Sequence, residues 1–187
     1  MIEPPEWLDA VVADALVREP QGWGRPVLIV RADEQCLYVC EAGRAPQVFP
    51  VSTSARGVGN RDGSLQTPRG LHWVAQRIGD TAPAGAIFRG RTDTGAIADI
   101  LTDPDARSTG DRITSRILWL EGLEPGINRG GDVDSFARFI YIHGTDEEGR
   151  IGSPASHGCI RMRNQDLIGL FPRVPLHSLV VILERGP

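Results

Sequence analysis

The run Ser156-His157-Gly158-Cys159-Ile160-Arg161-Met162 sets a thiol beside an imidazole, and an apolar stretch upstream ends in a second imidazole at Ile142-His143-Gly144-Thr145. These residue types suit nucleophilic acyl chemistry. A thiol attacks as thiolate, and a cysteine with an ordinary pKa of about 8.5 is mostly protonated at neutral pH, so a base has to lie close by. His157 is only two residues from Cys159, which makes an in-line hydrogen bond awkward unless the loop turns sharply. His143 closes an expected buried strand and can approach from the side, since base and nucleophile in such pairs are neighbours in space rather than in sequence. Cys159 is therefore the expected nucleophile and His143 the expected base. His157 joins the catalytic set as the residue that orders the loop or lines the pocket. Gly158, lacking a Cβ, permits a tight turn that exposes the backbone N–H groups of positions 158 and 159. Such donors facing a tetrahedral oxyanion contribute about 3 kcal/mol each. Arg161 can grip a substrate carboxylate with a bidentate fork or hold the loop through a salt bridge. Ser156, Gly158 and Arg161 are thus the candidate substrate contacts. A competing chemistry is an open zinc site on His143, His157 and Cys159. Two ligands two residues apart in a turn, with no Cys-x-x-Cys partner, make a poor structural site, so no metal or other cofactor is expected.

Several elements have to position these groups. Residues 27–30 and 37–40 read as strands joined by a turn at Ala32-Asp33-Glu34, followed by strands at 47–52 and 70–75. Further strands are expected at 112–120, at 137–142 and at 179–183. Short strands with frequent turns favour a mainly β fold, a sandwich or barrel. Leu8, Val11, Val12, Ala15 and Leu16 recur at helical spacing with Pro5 near the first turn, which predicts a short docking helix. After the cysteine, Asn164 is placed to cap a helix through Leu167 and Leu170 that Pro172 would end. Residues 79–110 are rich in Gly, Thr, Asp and Ala, and a segment of weak order this long is expected to be a lid over the site or a disordered insertion.

A chain of 187 residues fits one domain with a real core. Its net charge of −4 and its dispersed arginines offer no concentrated basic face, so no nucleic-acid partner is expected. Cys36 and Cys40 lie four residues apart on one strand, about 13 Å at ordinary strand rise, beyond disulfide reach. They are expected to be small buried apolar groups. Gly57-Val58-Gly59 imitates a phosphate loop only weakly, because no lysine-serine or lysine-threonine pair follows. Residues 1–7 are acidic and proline-bearing, without a basic start or an apolar core of the secretory type. No segment approaches the roughly 18 apolar residues of a membrane span. The expectation is a cytoplasmic protein without membrane contact, or a periplasmic one if this N-terminus is not the native start.

The same residues carry a family resemblance. The run from Arg138-Phe139-Ile140-Tyr141-Ile142-His143-Gly144-Thr145 through Ile151-Gly152 to the Ser-His-Gly-Cys core and Asn164 resembles the catalytic centre of the L,D-transpeptidase, or YkuD-domain, family. Pro50-Val51-Ser52-Thr53-Ser54, Gln66-Thr67-Pro68-Arg69-Gly70, Tyr38, and Trp119-Leu120-Glu121-Gly122 to Asn128 look like the rest of that domain, so the resemblance covers roughly residues 26–185. Part of the family carries asparagine where this chain has Arg161. The resemblance implies a YkuD-like β-sandwich or barrel of mixed strands at 26–187, with a helix after the cysteine, preceded by an N-terminal helix and joint at 1–25. It implies that the carbonyl of Gly144 holds the imidazole in its useful tautomer, with the carboxylate of Asp146 as the fallback.

It further implies attack on the bond between the L-centre of a diamino acid and D-alanine in a peptidoglycan tetrapeptide or muropeptide, through a thioester on Cys159. Water as acceptor makes an L,D-carboxypeptidase of murein recycling, the leading expectation for a cytoplasmic chain. An amine acceptor makes an exported L,D-transpeptidase that crosslinks or exchanges D-amino acids. A catalytically idle muropeptide sensor is the reading from a different class, and an activatable thiol argues against it. Carbapenem inhibitors are expected to acylate Cys159.

Overall fold

The computed structural model describes residues 5–186, so the expectation drawn from the first seven residues falls largely outside the described part of the chain. The frame is a mixed sheet. Strands β1 (Val27–Arg31), β2 (Cys36–Cys40) and β3 (Gln47–Pro50) follow one another antiparallel, and β10 (Leu179–Leu183) pairs parallel to β1. The sheet continues through β4 (Gly70–Ile78) to β7 (Ile113–Gly122), both antiparallel to their neighbours. Beyond β7 lie β8 (Tyr141–Thr145) and then β9 (Ile160–Met162), which runs parallel to β8. The chain after β3 returns to bridge β9 at Ser52 and Arg161, which curls the sheet towards closure.

Strand periodicity explains the two cores. In β1, Val27 and Ile29 face one side and Leu28 and Val30 the other, and in β10 Leu179 and Val181 alternate in the same way with Val180 and Ile182. Both strands are covered on both faces, which is why they read as unbroken apolar runs. One face takes helix α1 (Trp7–Arg18), whose Leu8 and Ala15 are buried against Ile29, Tyr38 and Leu71. Cys36 and Cys40 are free thiols at this face, as their spacing implied. The other face encloses the main core with Leu118, Leu120, Ile142, Ile160 and helix α2 (Asn164–Leu170). Among the described residues no helix is long and apolar enough to cross a membrane.

Three expectations need correction. Residues 137–140 are not strand. The N–H groups of Arg138, Phe139 and Ile140 bond back to the carbonyls of Asp134, Phe136 and Ser135, closing turns that precede β8. His143 therefore sits in the middle of β8 rather than at its end. Residues 79–110 are neither weakly ordered nor a featureless insertion. They contain a hairpin of β5 (Ala86–Arg89) and β6 (Thr92–Ile97) whose first strand joins β7. The chain beyond it is pinned by Leu101 N to the Asp146 carbonyl at 2.7 Å and by Ser108 N to the Glu147 carboxylate at 2.8 Å. The apolar stretch Ala86-Ile87-Phe88 forms β5, but its partner β6 is exposed along its length and gave no alternating pattern that would mark a hairpin. Asn164, finally, does not cap α2 but is its first residue, and its side chain is committed elsewhere.

Leu8 is only 1% exposed and anchors α1. Leu8→Ala is expected to lower stability by about 2–4 kcal/mol, as buried leucine truncations do, in a urea titration. A change below about 0.5 kcal/mol would show that the helix does not dock.

Candidate active site

β9 begins directly after Cys159, and its parallel register with β8 sets Ile160 against Ile142 and Arg161 against His143. The thiol thus lands beside the strand that carries the imidazole. Sγ accepts the Tyr141 N–H at 3.4 Å and lies 3.4 Å from the Phe139 carbonyl, to which it donates. Tyr141 and His143 are two apart on β8 and share a face. The imidazole Nδ1 lies 2.6 Å from the carbonyl of Gly144. A carbonyl only accepts, so Nδ1 carries the hydrogen and Nε2 keeps the lone pair of a base. Asp146 is not the orienting group, because its Oδ1 accepts the N–H of Arg112 instead.

The local sequence makes this geometry possible. A Cβ on Gly144 would come within 2.6 Å of both Asn164 Oδ1 and the Thr114 carbonyl, so no larger residue fits. Opposite His143 and Gly144 the register of β7 shifts between Thr114 and Ile117, leaving Ser115 and Arg116 as a bulge. Bulges of this kind re-aim side chains at functional sites. Ser115 takes a φ of +62°, and its hydroxyl, with that of Thr114, donates to Asn164 Oδ1. The Asn164 amide donates to the Thr145 carbonyl at 2.9 Å and to Glu148 at 2.6 Å. Asn164 therefore ties the start of α2 to the bulge and to the end of β8.

The catalytic loop is held from inside. Ser156 is buried, donates to the Cys159 carbonyl at 2.5 Å and accepts the Gly158 N–H at 3.2 Å. That N–H is engaged within the loop rather than turned towards an oxyanion, which corrects the expected role of position 158. Gly158 itself has a φ of +131°, in the region that favours glycine. Arg161 is 1% exposed and pairs with Asp111 Oδ2 at 2.5 Å and Glu147 Oε2 at 3.2 Å. Its remaining nitrogen, Nε, is buried without a partner, so the guanidinium serves as a salt bridge and not as an open fork for substrate. His157 points outward, its side chain 67% exposed, with Nδ1 at 2.7 Å from the same Asp111 oxygen. Its ring is turned away from the role of a base. Among the described residues no three His, Cys, Asp or Glu side chains converge as metal ligands.

Asp111 is the site residue that sequence reading missed. It holds the residues two before and two after Cys159, from a stretch of Asp, Arg and Gly that carries no motif. Burial pushes its carboxyl up, but Arg161 and His157 outweigh this and hold it below its ordinary value. Burial lowers the His143 pKa to about 4 against the favourable Gly144 carbonyl, and burial raises the Cys159 thiol to about 11 despite the Tyr141 N–H. Asp111 pulls both of these values upward and Arg161 pulls both downward. At neutral pH the resting pair is a thiol and a neutral imidazole. A neutral imidazole with its lone pair on Nε2 is the form able to take a proton from a thiol.

A family model described as YkuD, the L,D-transpeptidase catalytic domain, matches residues 25–182. A stretch of 48 residues is 43% identical to the probable L,D-transpeptidase YbiS of Escherichia coli strain K12, covering 26% of this chain and 16% of that protein. The solved structure of Bd1075 from Bdellovibrio bacteriovorus superposes with a TM-score of 0.53 at 16% identity, over 90% of this chain and 51% of that one. L,D-transpeptidase 3 of Mycobacterium tuberculosis, solved with a faropenem-derived adduct, gives a TM-score of 0.50 at 18% identity, over 86% of this chain and 60% of its own. At these identities the solved structures share the fold.

Two measurements test the electrostatics. His72 is buried between the Gly70 carbonyl and the Ser135 hydroxyl, and burial holds it, like His143, at about 4 instead of 6.5. Between those values the unfolded chain binds protons that the folded chain refuses, so stability is full above pH 6.5 and falls as pH drops towards 4. The urea midpoint is expected to be lower at pH 5 than at pH 7, and less so in His72→Gln; a flat profile would mean that neither ring is held neutral. Asp111→Asn is expected to lower stability by about 1–3 kcal/mol, as loss of a buried charge partner does, and to speed amide exchange in residues 156–159. Unaltered exchange there would show that Asp111 does not anchor the loop.

Proposed function

Because the chain belongs to the YkuD family of L,D-transpeptidase catalytic domains, we propose that it is a cysteine acyl-transfer enzyme acting on the tetrapeptide stems of peptidoglycan. The observation that carries this reading is the thiol of Cys159 packed against β8, where the Gly144 carbonyl orients His143 as a base. In the proposed reaction Sγ attacks the carbonyl carbon of the L-centre while its proton passes to His143 Nε2. The tetrahedral intermediate collapses as the imidazolium gives that proton to the departing nitrogen of D-alanine, leaving a thioester on Cys159. His143 then takes a proton from water, the hydroxide attacks the thioester carbonyl, and the thiol is regenerated with release of the tripeptide acid. The neutral resting pair supports this order of events, since the proton moves with the attack instead of before it.

We read the acceptor as water, which makes the activity that of an L,D-carboxypeptidase. Supporting this, the Arg138 guanidinium acts electrostatically on the thiol and Arg91 contacts Tyr141 on the strand that holds it, with no carboxylate at ion-pair distance from either among the described residues. Arg138 is bonded only to the carbonyls of Gly59, Asn60 and Gln66, and Arg91 rests on the Trp119 and Phe139 rings. Such charges disfavour the approach of an ammonium acceptor and leave water unaffected. Transfer to an amine, giving crosslinks or D-amino-acid exchange, is the second reading that the family affiliation favours.

Purified protein is expected to convert a tetrapeptide muropeptide to the tripeptide with loss of D-alanine, read by mass spectrometry, and Cys159→Ala to abolish conversion. A D-amino-acid acceptor separates the two fates, because abundant exchange product would replace hydrolysis by transfer. No product in either arm, with a correctly folded protein, would overturn the enzyme reading in favour of a binding module. A carbapenem is expected to add its mass to the wild-type chain and not to Cys159→Ala.

A further inference from the structure

With Arg161 committed to Asp111 and Glu147, the site needs another group to receive the carboxylates that border the scissile bond of a stem peptide. Arg138 spends its terminal nitrogens on the Gly59, Asn60 and Gln66 carbonyls, which leaves Arg91 placed for it. Arg91 occupies the turn of the β5–β6 hairpin, directly after Gly90, and adopts a φ of +69°. An L-residue with a side chain is disfavoured in that region, and glycine or asparagine would relieve it. Strain retained at a turn is a pointer to function when the side chain has somewhere to go. Here the guanidinium carbon stands 4.9 Å from the centre of the Trp119 ring and 5.0 Å from that of Phe139, and Nη1 reaches the Tyr141 hydroxyl at 3.4 Å. Tyr141 and Phe139 are the two residues whose backbone N–H and carbonyl hold Sγ.

The arginine is therefore fixed by stacking, a contact that uses its faces and leaves the edge donors free. Only one of its N–H groups has a hydrogen-bond partner, and among the described residues no carboxylate lies within ion-pair distance. We propose that Arg91 is the carboxylate receptor of the active site, binding an acid group that the substrate carries next to the scissile bond. That group is either the carboxylate of the D-alanine leaving group or a free carboxylate on the diamino acid. The identity of the substrate rests on the acyl-transfer reading above, whereas the anion preference at the thiol does not.

Two experiments on the full chain keep these apart. In the first, Cys159 is alkylated with iodoacetate or with iodoacetamide and followed by peptide mapping, which separates it from Cys36 and Cys40. The iodoacetate-to-iodoacetamide rate ratio is expected to fall about tenfold in Arg91→Ala, consistent with loss of a charge-assisted hydrogen bond. Arg91→Met, which keeps the stem over the rings, is expected to match it, and Arg91→Lys to retain part of the preference. An unchanged ratio in both neutral variants would overturn the proposal.

In the second, KM for the tetrapeptide is expected to rise about tenfold or more in Arg91→Met. Amidating the carboxylate that Arg91 binds should erase the difference between wild type and variant, and the amide that does so identifies which acid it is. An equal rise for the free acid and both amides would make Arg91 a wall of the site and nothing more. If wild type turns over no tetrapeptide, the acyl-transfer reading fails while the alkylation ratio still decides the role of Arg91.

Discussion

Parallel pairing of β9 with β8 is the contact on which the site depends, because β9 starts at the residue after Cys159 and β8 carries His143 at its centre. A parallel neighbour has to arrive by a long connection, and here residues 146–159 form it. The turn before the cysteine is consequently tight, and its conformation is set by Gly158 and by the Ser156 hydroxyl, which is bonded both to the Gly158 N–H and to the Cys159 carbonyl. On the other side, the bulge in β7 makes room for the His143-Gly144 pair and is itself held by Asn164. Four separate stretches of chain thus meet around the His143-Gly144 pair, tied to one another by the hydrogen bonds of Ser156 and Asn164.

The electrostatic setting follows from burial. Burial penalises charge, so both thiol and imidazole rest neutral, and the nearby Asp111 and Arg161 act on them with opposite signs. The guanidinium of the pair is fully buried while Asp111 is partly exposed, and leaving the buried charge unpartnered costs more than the pair contributes over an apolar substitute. Its value is therefore geometric, since one carboxylate oxygen of Asp111 ties down both His157 and Arg161 around the nucleophile. The protein spends a buried arginine on the shape of a loop. That commitment leaves Arg91, held over the Trp119 and Phe139 rings, as the proposed receptor for an anionic substrate.

The hairpin and the N-terminal helix illustrate a division between the two ends of the sheet. Helix α1 covers the face formed by β1, β2 and β10 and contributes core without approaching Cys159. The β5–β6 hairpin attaches to β7 and reaches the aromatic group of Trp119, Phe136 and Tyr141, with which Cys159 is packed. Phe136 stacks on Trp119 with ring centres 4.1 Å apart, and Tyr141 meets it edge-on at 5.4 Å. These rings form a firm apolar wall beside the thiol.

The thiol and imidazole that the fold brings to neighbouring strands, the glycine before the thiol and most of the strands were legible in the amino-acid sequence, because each depends on local chemistry. The thiol and imidazole types, the missing Cβ at position 158, and the apolar runs of β1 and β10 act within a few residues, whereas the need for glycine at 144 comes from Thr114 and Asn164. Strand β8 was misplaced by several residues because the turns of 135–140 use apolar residues that look like strand until their N–H partners are known. The exposed β6 and the loop that bears Asp111 left no periodic signal. Where Arg161 points and which arginine keeps free donors are questions of long-range proximity. Arg91 meets Tyr141, and Asp111 meets Arg161, only once the sheet has formed, and the desolvation that then selects neutral or paired states exists only in the folded chain.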